Sequence, residues 1–244
     1  MMPAGVKRVL PQLITLAVLV ALVSAVFPDF LQLHYSDGRL IGPVIDVLKR
    51  GAPVALLAIG MTLVVATGGI DLSVGTVMAI TGAVAAAAIV AGHGLLWALG
   101  LALAAGLCAG LFSGCLIAFL GIQPIVATLI LMISGRGIAQ LITEGRILTF
   151  NLPAFSFLGS GHLLGIPVPV WLWLAAATLT VVVVRRTALG LLIEAVGINR
   201  RASALTGINA RVILLAVYMI SGLCAALAGI VTTADIRGAD ANNA

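Results

Sequence analysis

Apolar residues run along this chain in seven blocks, 9–27, 52–67, 72–91, 95–120, 124–143, 168–184 and 212–234, parted by polar or glycine-rich joints of 3 to 27 residues. Blocks of roughly 17–25 residues suit a helix rising 1.5 Å per residue across a hydrocarbon core about 30 Å thick. The pattern predicts an all-α fold, a polytopic transmembrane bundle of about seven spans, with residues 1–244 forming one transmembrane domain. The first block follows Lys7 and Arg8, and Val23-Ser24-Ala25 resembles a signal-peptidase site. A run of about 19 apolar residues exceeds the usual 7–15 of a signal core, so the block is read as a span.

One joint differs from the others. Residues 60–76, GMTLVVATGGIDLSVGT, place two glycines and an aspartate between apolar helices. Two readings are open: a tight turn whose aspartate caps the helix starting at Leu72, or a broken helix bordering a polar path, as many transporters use. Thr62 and Thr67 leading into Gly68-Gly69 favour the break, with Gly68, Gly69, Asp71 and Ser73 along the translocation path. Upstream, Ile41, Val44, Ile45 and Leu48 are spaced as an amphipathic helix lying on the membrane surface before the second span turns in. The glycines and prolines of 144–167 predict irregular structure.

Composition agrees with the pattern: 62% of residues are hydrophobic and 9% charged, with mean hydropathy +1.25. Soluble domains carry about 25% charged residues. The net charge of +5 comes from a few basic residues between spans, with no basic stripe and no aromatic interleaving, so nucleic acid is not an expected partner. Placing Lys7 and Arg8 in the cytoplasm puts 68–71, 121–123 and 185–211 inside and 28–51, 92–94, 144–167 and 235–244 outside. Inside segments then carry net +5 and outside segments −1, as the positive-inside rule requires. Cys108, Cys115 and Cys224 lie in apolar blocks without metal-ligand spacing, and they read as packing residues. No metal site is expected.

Three further features bear on function. Gly106, Gly110 and Gly114 form a small-residue stripe, echoed by Ser221, Ala225 and Gly229, of the kind that lets helix backbones approach closely. Arg136, in SGRG, lies inside a span about 12 Å of rise from Glu144. Either it snorkels outward, or it lines the solute path or marks a helix break at Gly135–Gly137. Segment 185–211, expected as a cytoplasmic coupling loop, carries an apolar face of Leu189, Leu192, Ile193 and Val196 beside Glu194, Arg200 and Arg201. It reads as a helix docked on a soluble partner or as a membrane-surface helix. No GxxxxGK[ST] phosphate loop, HExxH or GxSxG occurs. The chain therefore offers no catalytic residues, and any ATP is expected to be used by another subunit.

With GMTLVVATGGIDLSVG and EAVGINRRASALTGI in view, the chain resembles the membrane permeases of sugar-importing ABC transporters of the ribose/galactose class. APVALLAIGMTLV (52–64), the TLILM and GRG motifs of 128–143, and ADIRGADANNA (234–244) resemble the galactofuranose importers most. The resemblance implies a multi-pass protein of the bacterial inner membrane, translocating a monosaccharide. It also implies a second permease subunit, a cytoplasmic ATP-binding subunit and a periplasmic sugar-binding protein as partners. No cofactor is expected on this chain itself. Glu194, Ala195, Val196 and Gly197, continued by Asn199, Arg200 and Arg201, match the ATPase-coupling loop. Family members continue beyond the point where this sequence stops, so a C-terminally truncated chain is expected. An ion-coupled secondary transporter or a channel for a small polar solute remains the alternative, although Asp71 and Arg136 are the only ionisable candidates for ion coupling.

Overall fold

The computed structural model describes residues 4–36 and 38–240, with side chains from Leu10 onward. Asp37, the tail 241–244 and the side chains of Lys7 and Arg8 lie outside the described residues. Each expected span corresponds to one helix: α1 (Ala4–Val26), α2 (Pro43–Ala66), α3 (Val74–Val90), α4 (Leu95–Ala118), α5 (Pro124–Thr143), α7 (Val168–Arg186) and α10 (Ala210–Ile236). Five of these, α2, α4, α5, α7 and α10, are long and apolar enough to cross a membrane, whereas α3 and the apolar part of α1, Leu10–Val26, are 17-residue-class helices at the short end of that range. Short elements fill the joints: α6 (Pro153–Ser160), α8 (Ala188–Ile198), α9 (Arg200–Leu205), and strands β1 (His34–Ser36), β2 (Arg39–Ile41), β3 (Leu148–Thr149), β4 (His162–Leu163), β5 (Ile166–Pro167) and β6 (Gly238–Ala239).

α10 is the axis of the bundle. It is buried over most of its length, and α2, α3, α4 and α6 all pack on it. Small residues make this possible. A Cβ on Gly106 would sit 2.6 Å from both the Gly222 carbonyl oxygen and Ala226 Cβ, and one on Gly114 would lie 3.0 Å from Leu215 Cδ1. One on Gly110 would lie 2.9 Å from Met219 Cα. In a bilayer, where lipid tails are as apolar as leucine, close backbone packing of this kind holds helices together. Residue Gly222, facing Gly106 and Gly110, is the partner half of the seam, while Gly229 packs on Met78 and Thr81 of α3.

Contacts sort the helix ends into two sets. At one end the paired strands β3 and β6, the Lys49–Asp235 ion pair at 2.6 Å, and Gly159 against the Asp235 backbone come together. The other end gathers Arg185, Arg186, Arg200, Arg201 and Arg211 at the termini of α7, α8, α9 and α10, and is called the basic end below. From α2 to α10 the spanning helices alternate in direction as the apolar blocks predict.

Three expectations need correction. Residues 43–50 do not form a separate surface helix. They are the first two turns of α2, which continues through Pro53 without interruption, and Lys49 reaches Asp235 on the end of α10. Proline is tolerated within a spanning helix where neighbouring helices surround the freed carbonyl. Helix α5 runs unbroken through Gly135–Gly137. Segment 144–167 is partly ordered, with α6 packed on α10 through Gly159 and β4 paired to β5.

Candidate functional site

Helix α2 stops at Ala66 and α3 begins at Val74, so the break runs from Thr67 to Ser73. The reason is local. Gly68 adopts φ +74°, a left-handed conformation that glycine takes without penalty. The amides of Gly68 and Gly69 then turn back to the carbonyls of Val65 and Val64, at 2.9 and 3.1 Å. This pair of bonds closes a helix C-terminus in a Schellman motif. Gly69 is also needed for space, because a Cβ would lie 2.7 Å from the Tyr218 hydroxyl and 3.2 Å from Val64 Cγ1.

Asp71 is 4% exposed. Its Oδ1 accepts from the Ser73 amide at 3.0 Å and the Ser73 hydroxyl at 2.6 Å. Oδ2 accepts from Ser221 Oγ of α10 at 2.8 Å. A buried carboxylate without such donors would be very unfavourable; here three donors hold it. The neighbouring Ile70 carbonyl accepts from Thr128 of α5 at 3.4 Å and Tyr218 of α10 at 3.5 Å. Arg200 of α9 donates to the Thr67 carbonyl at 3.3 Å, placing a cation at the C-terminus of α2, where the helix dipole favours it. The break is thus an elbow gripped from α5, α9 and α10.

This geometry changes the role of the carboxylate. Asp71 and Ser73 are turned into the protein, while the exposed side of the elbow consists of Gly68, Ile70 and Leu72. Asp71 caps only the Ser73 amide, and α3 starts two residues later than Leu72. Ser221 and Tyr218 join the candidate site through Asp71 and the Ile70 carbonyl, whereas in the sequence they stand only within a packed span. A serine in an apolar block was the available signal, but it cannot be matched with a carboxylate 150 residues away without the fold.

The 185–211 segment folds as two helices. Thr187 caps α8 by accepting from the Leu189 amide at 3.3 Å. Asn199 Oδ1 caps α9 through the Arg201 and Ala202 amides at 3.0 and 3.1 Å. The apolar face of Leu189, Leu192, Ile193 and Val196 packs inward with Leu63, Ile213 and Val217, so the chain's own bundle occupies it and a partner cannot. Gly197 presses on the Ala66 carbonyl. What remains outward is a strip of Leu191, Glu194, Ile198, Arg201 and Leu205, with Leu205 90% exposed. Ala195 is half-buried, and Asn199 and Arg200 are exposed, Arg200 reaching the elbow at the Thr67 carbonyl. Beside the strip, a groove of about 370 Å³ opens between α2, α7 and α8, with Arg185 and Glu194 among its lining residues.

Arg136 is not part of the elbow. It stands eight residues, about 12 Å of rise, along α5 from Thr128. Gly135 faces α3, where a Cβ would lie 3.0 Å from Ile80 Cδ1, but Arg136 and Gly137 point away from the bundle. At the opposite end from the arginine cluster, a pocket of about 550 Å³ is lined by Tyr35, Arg39, Ser160 and His162. Burial, with the positive charges of Arg39 and Lys49, holds His162 below its ordinary range.

Residues 44–244 match the family described as "Branched-chain amino acid transport system / permease component". The chain is 58% identical over 235 residues to the galactofuranose transporter permease of Escherichia coli, covering 96% of this chain and 69% of that protein. It is 41% identical to the fructose import permease of Bifidobacterium longum, covering 91% of this chain and 65% of that protein. Against the ribose import permease of Escherichia coli it is 38% identical, covering 93% of this chain and 70% of that protein. The chain thus spans about two thirds of the length of the curated relatives it matches. No solved structure matches it.

Proposed function

Because the chain belongs to the permease-component family of branched-chain amino acid transport systems, and is a multi-pass membrane protein, we propose that it is the membrane-spanning subunit of an ATP-driven sugar importer. The substrate is a monosaccharide of the galactofuranose kind, as the named function of its 58% identical relative suggests. The protein resides in the bacterial inner membrane with the basic end in the cytoplasm, the orientation favoured by the positive-inside rule. A second permease subunit and a periplasmic sugar-binding protein complete the assembly.

The observation that carries this reading is the seating of α8–α9 on the elbow. Gly197 against Ala66 and Arg200 bonded to the Thr67 carbonyl join the exposed strip of the basic end directly to the break between α2 and α3. An ATPase docked on Glu194, Arg201 and the apolar side chains beside them can push on that elbow. Segment 185–211 is therefore the coupling surface, with Ala195, Val196, Gly197, Asn199 and Arg200 forming its inner support. Gly68 and Gly69 form the moving elbow beside the path, Asp71 and Ser73 lock that elbow from inside the bundle, and Arg136 belongs to the path's lining.

The test is uptake by the assembled complex in proteoliposomes, with ATPase and binding protein, of radiolabelled galactose, fructose and ribose. ATP-dependent accumulation is expected. Accumulation driven by an ion gradient without the ATPase would replace this reading with a secondary transporter.

A further inference from the structure

Arg136 is the thirteenth residue of α5, about 18 Å of rise from Pro124 and about 10 Å from Thr143. It is exposed, and among the described residues its guanidinium has neither an acid nor a carbonyl partner. An arginine side chain spans roughly 7 Å, so it cannot reach the basic end. Reaching the nearer end is opposed by the helix itself, whose Cα–Cβ bonds tilt toward the N-terminus and aim Arg136 at mid-membrane. A charge held there faces water or a polar partner, because hydrocarbon is far too unfavourable.

One turn further along α5, Gln140 is exposed on the same side, and its side chain has no hydrogen-bond partner among the described residues. Between them Gly137 leaves open space, with nothing within 4 Å of where a Cβ would stand. Ile133 and Leu129 complete the surface, Ile133 at 71% exposed. The result is a smooth face bearing one forked cation and one amide at i, i+4 spacing.

We propose that this face of α5 lines a water-filled path and that Arg136 and Gln140 bind vicinal hydroxyls of a neutral polyol as it passes. The chemistry matches. A guanidinium presents a planar fork of donors, and the glutamine amide supplies both a donor and an acceptor. Neither group demands a negative charge from the ligand, and among the described residues no carboxylate pairs with the arginine. The proposal rests on the transport reading above.

The test uses the assembled importer in a background with Cys108, Cys115 and Cys224 replaced by alanine. Gly137→Cys and Gln140→Cys are compared with Leu179→Cys on the exposed face of α7, using a water-borne cationic methanethiosulfonate. Reaction at 137 and 140 should be at least about tenfold faster, since thiolate forms in water and not in hydrocarbon. A rate as low as that at 179 overturns the proposal, whether or not the complex transports. In the second arm, Arg136→Gln and Gln140→Leu should each raise KM for whichever of radiolabelled galactose, fructose and ribose is taken up best, by about tenfold, the loss expected for one charged or paired hydrogen bond. Arg136→Lys should not restore it, because a single ammonium lacks the fork. Unchanged KM in both variants also overturns the proposal. Absence of ATP-driven uptake in the unsubstituted complex would instead overturn the transport reading, leaving the thiol rates to judge this one alone.

Discussion

Replacing Gly110 by alanine isolates the packing that holds the bundle together. The added Cβ would lie 2.9 Å from Met219 Cα and nearer still to the Tyr218 carbonyl oxygen. Both are backbone atoms, so no side chain can swing aside. Ordinary contact begins near 3.4 Å, so α4 must withdraw from α10 by at least 0.5 Å. A gap of that size forfeits roughly a quarter to a half of each dispersion contact it opens. The contacts at Gly106 and Gly114 loosen together with those at Gly110, since all three lie on one helix. Overpacking costs about 1–3 kcal/mol, and because the obstructing atoms are backbone the upper part of that range, about 2–3 kcal/mol, applies; about 1 kcal/mol of improved helix propensity offsets it, leaving a net loss of about 1–2 kcal/mol. Gly100, on the same helix, is the control, because nothing lies within 4 Å of its Cβ position. There only the propensity gain, up to about 1 kcal/mol, remains. Unfolding of each variant in dodecyl maltoside micelles titrated with sodium dodecyl sulfate, read by pulse proteolysis, should give opposite signs at the two positions. If Gly110→Ala is as stable as the parent protein, α4 and α10 do not approach as closely as the argument requires.

Other expectations concern the elbow and the two ends. Gly69→Leu, forced against the Tyr218 hydroxyl, should abolish uptake while leaving most of the protein in the membrane; near-normal uptake would mean the elbow is only a connector. Arg200→Ala removes the donor to the Thr67 carbonyl and should uncouple ATP hydrolysis from uptake, with insertion unchanged in a membrane-fraction blot; tight coupling in that variant would assign Arg200 no role in transmission. A topology reporter belongs at Leu205, which is exposed, and not at Ser203, which is buried and bonded to the Ala195 and Asn199 carbonyls. Leu205→Cys should be labelled from the cytoplasmic side, and labelling only from outside would invert the orientation. His162, held down first by burial and then by Arg39 and Lys49, should titrate below its ordinary value of about 6.5 in NMR spectra of the micellar protein. Because the folded state then binds fewer protons than the unfolded chain, its contribution to stability is present at neutral pH and lost as pH falls below about 6.5. Arg39→Gln should raise the midpoint, and a midpoint above 6.5 in the parent protein would contradict the burial.

Much of the architecture was legible in one dimension because a bilayer leaves few choices. Backbone groups in hydrocarbon must pair within their own helix, so an apolar block of sufficient length becomes a helix, and the seven blocks did. The break at Gly68-Gly69 was equally local: a positive φ and the two returning amides need only neighbours in sequence. So were the caps at Thr187, Asn199 and Asn209. What the sequence could not settle is direction. Periodicity marked Leu189, Leu192, Ile193 and Val196 as one face, but whether that face meets a partner or the chain's own core depends on α2 and α10 being there to receive it. The carboxylate of Asp71 could equally have faced a path, and only the arrival of Ser221, 150 residues later, turned it inward. Arg136 and Gln140 show the converse case, since it was the packing of Gly135 on α3 that left them on the open side of α5. Local rules fix which residues form each helix, whereas the rotation of a helix about its axis is decided by the close small-residue contacts that draw it against its neighbours.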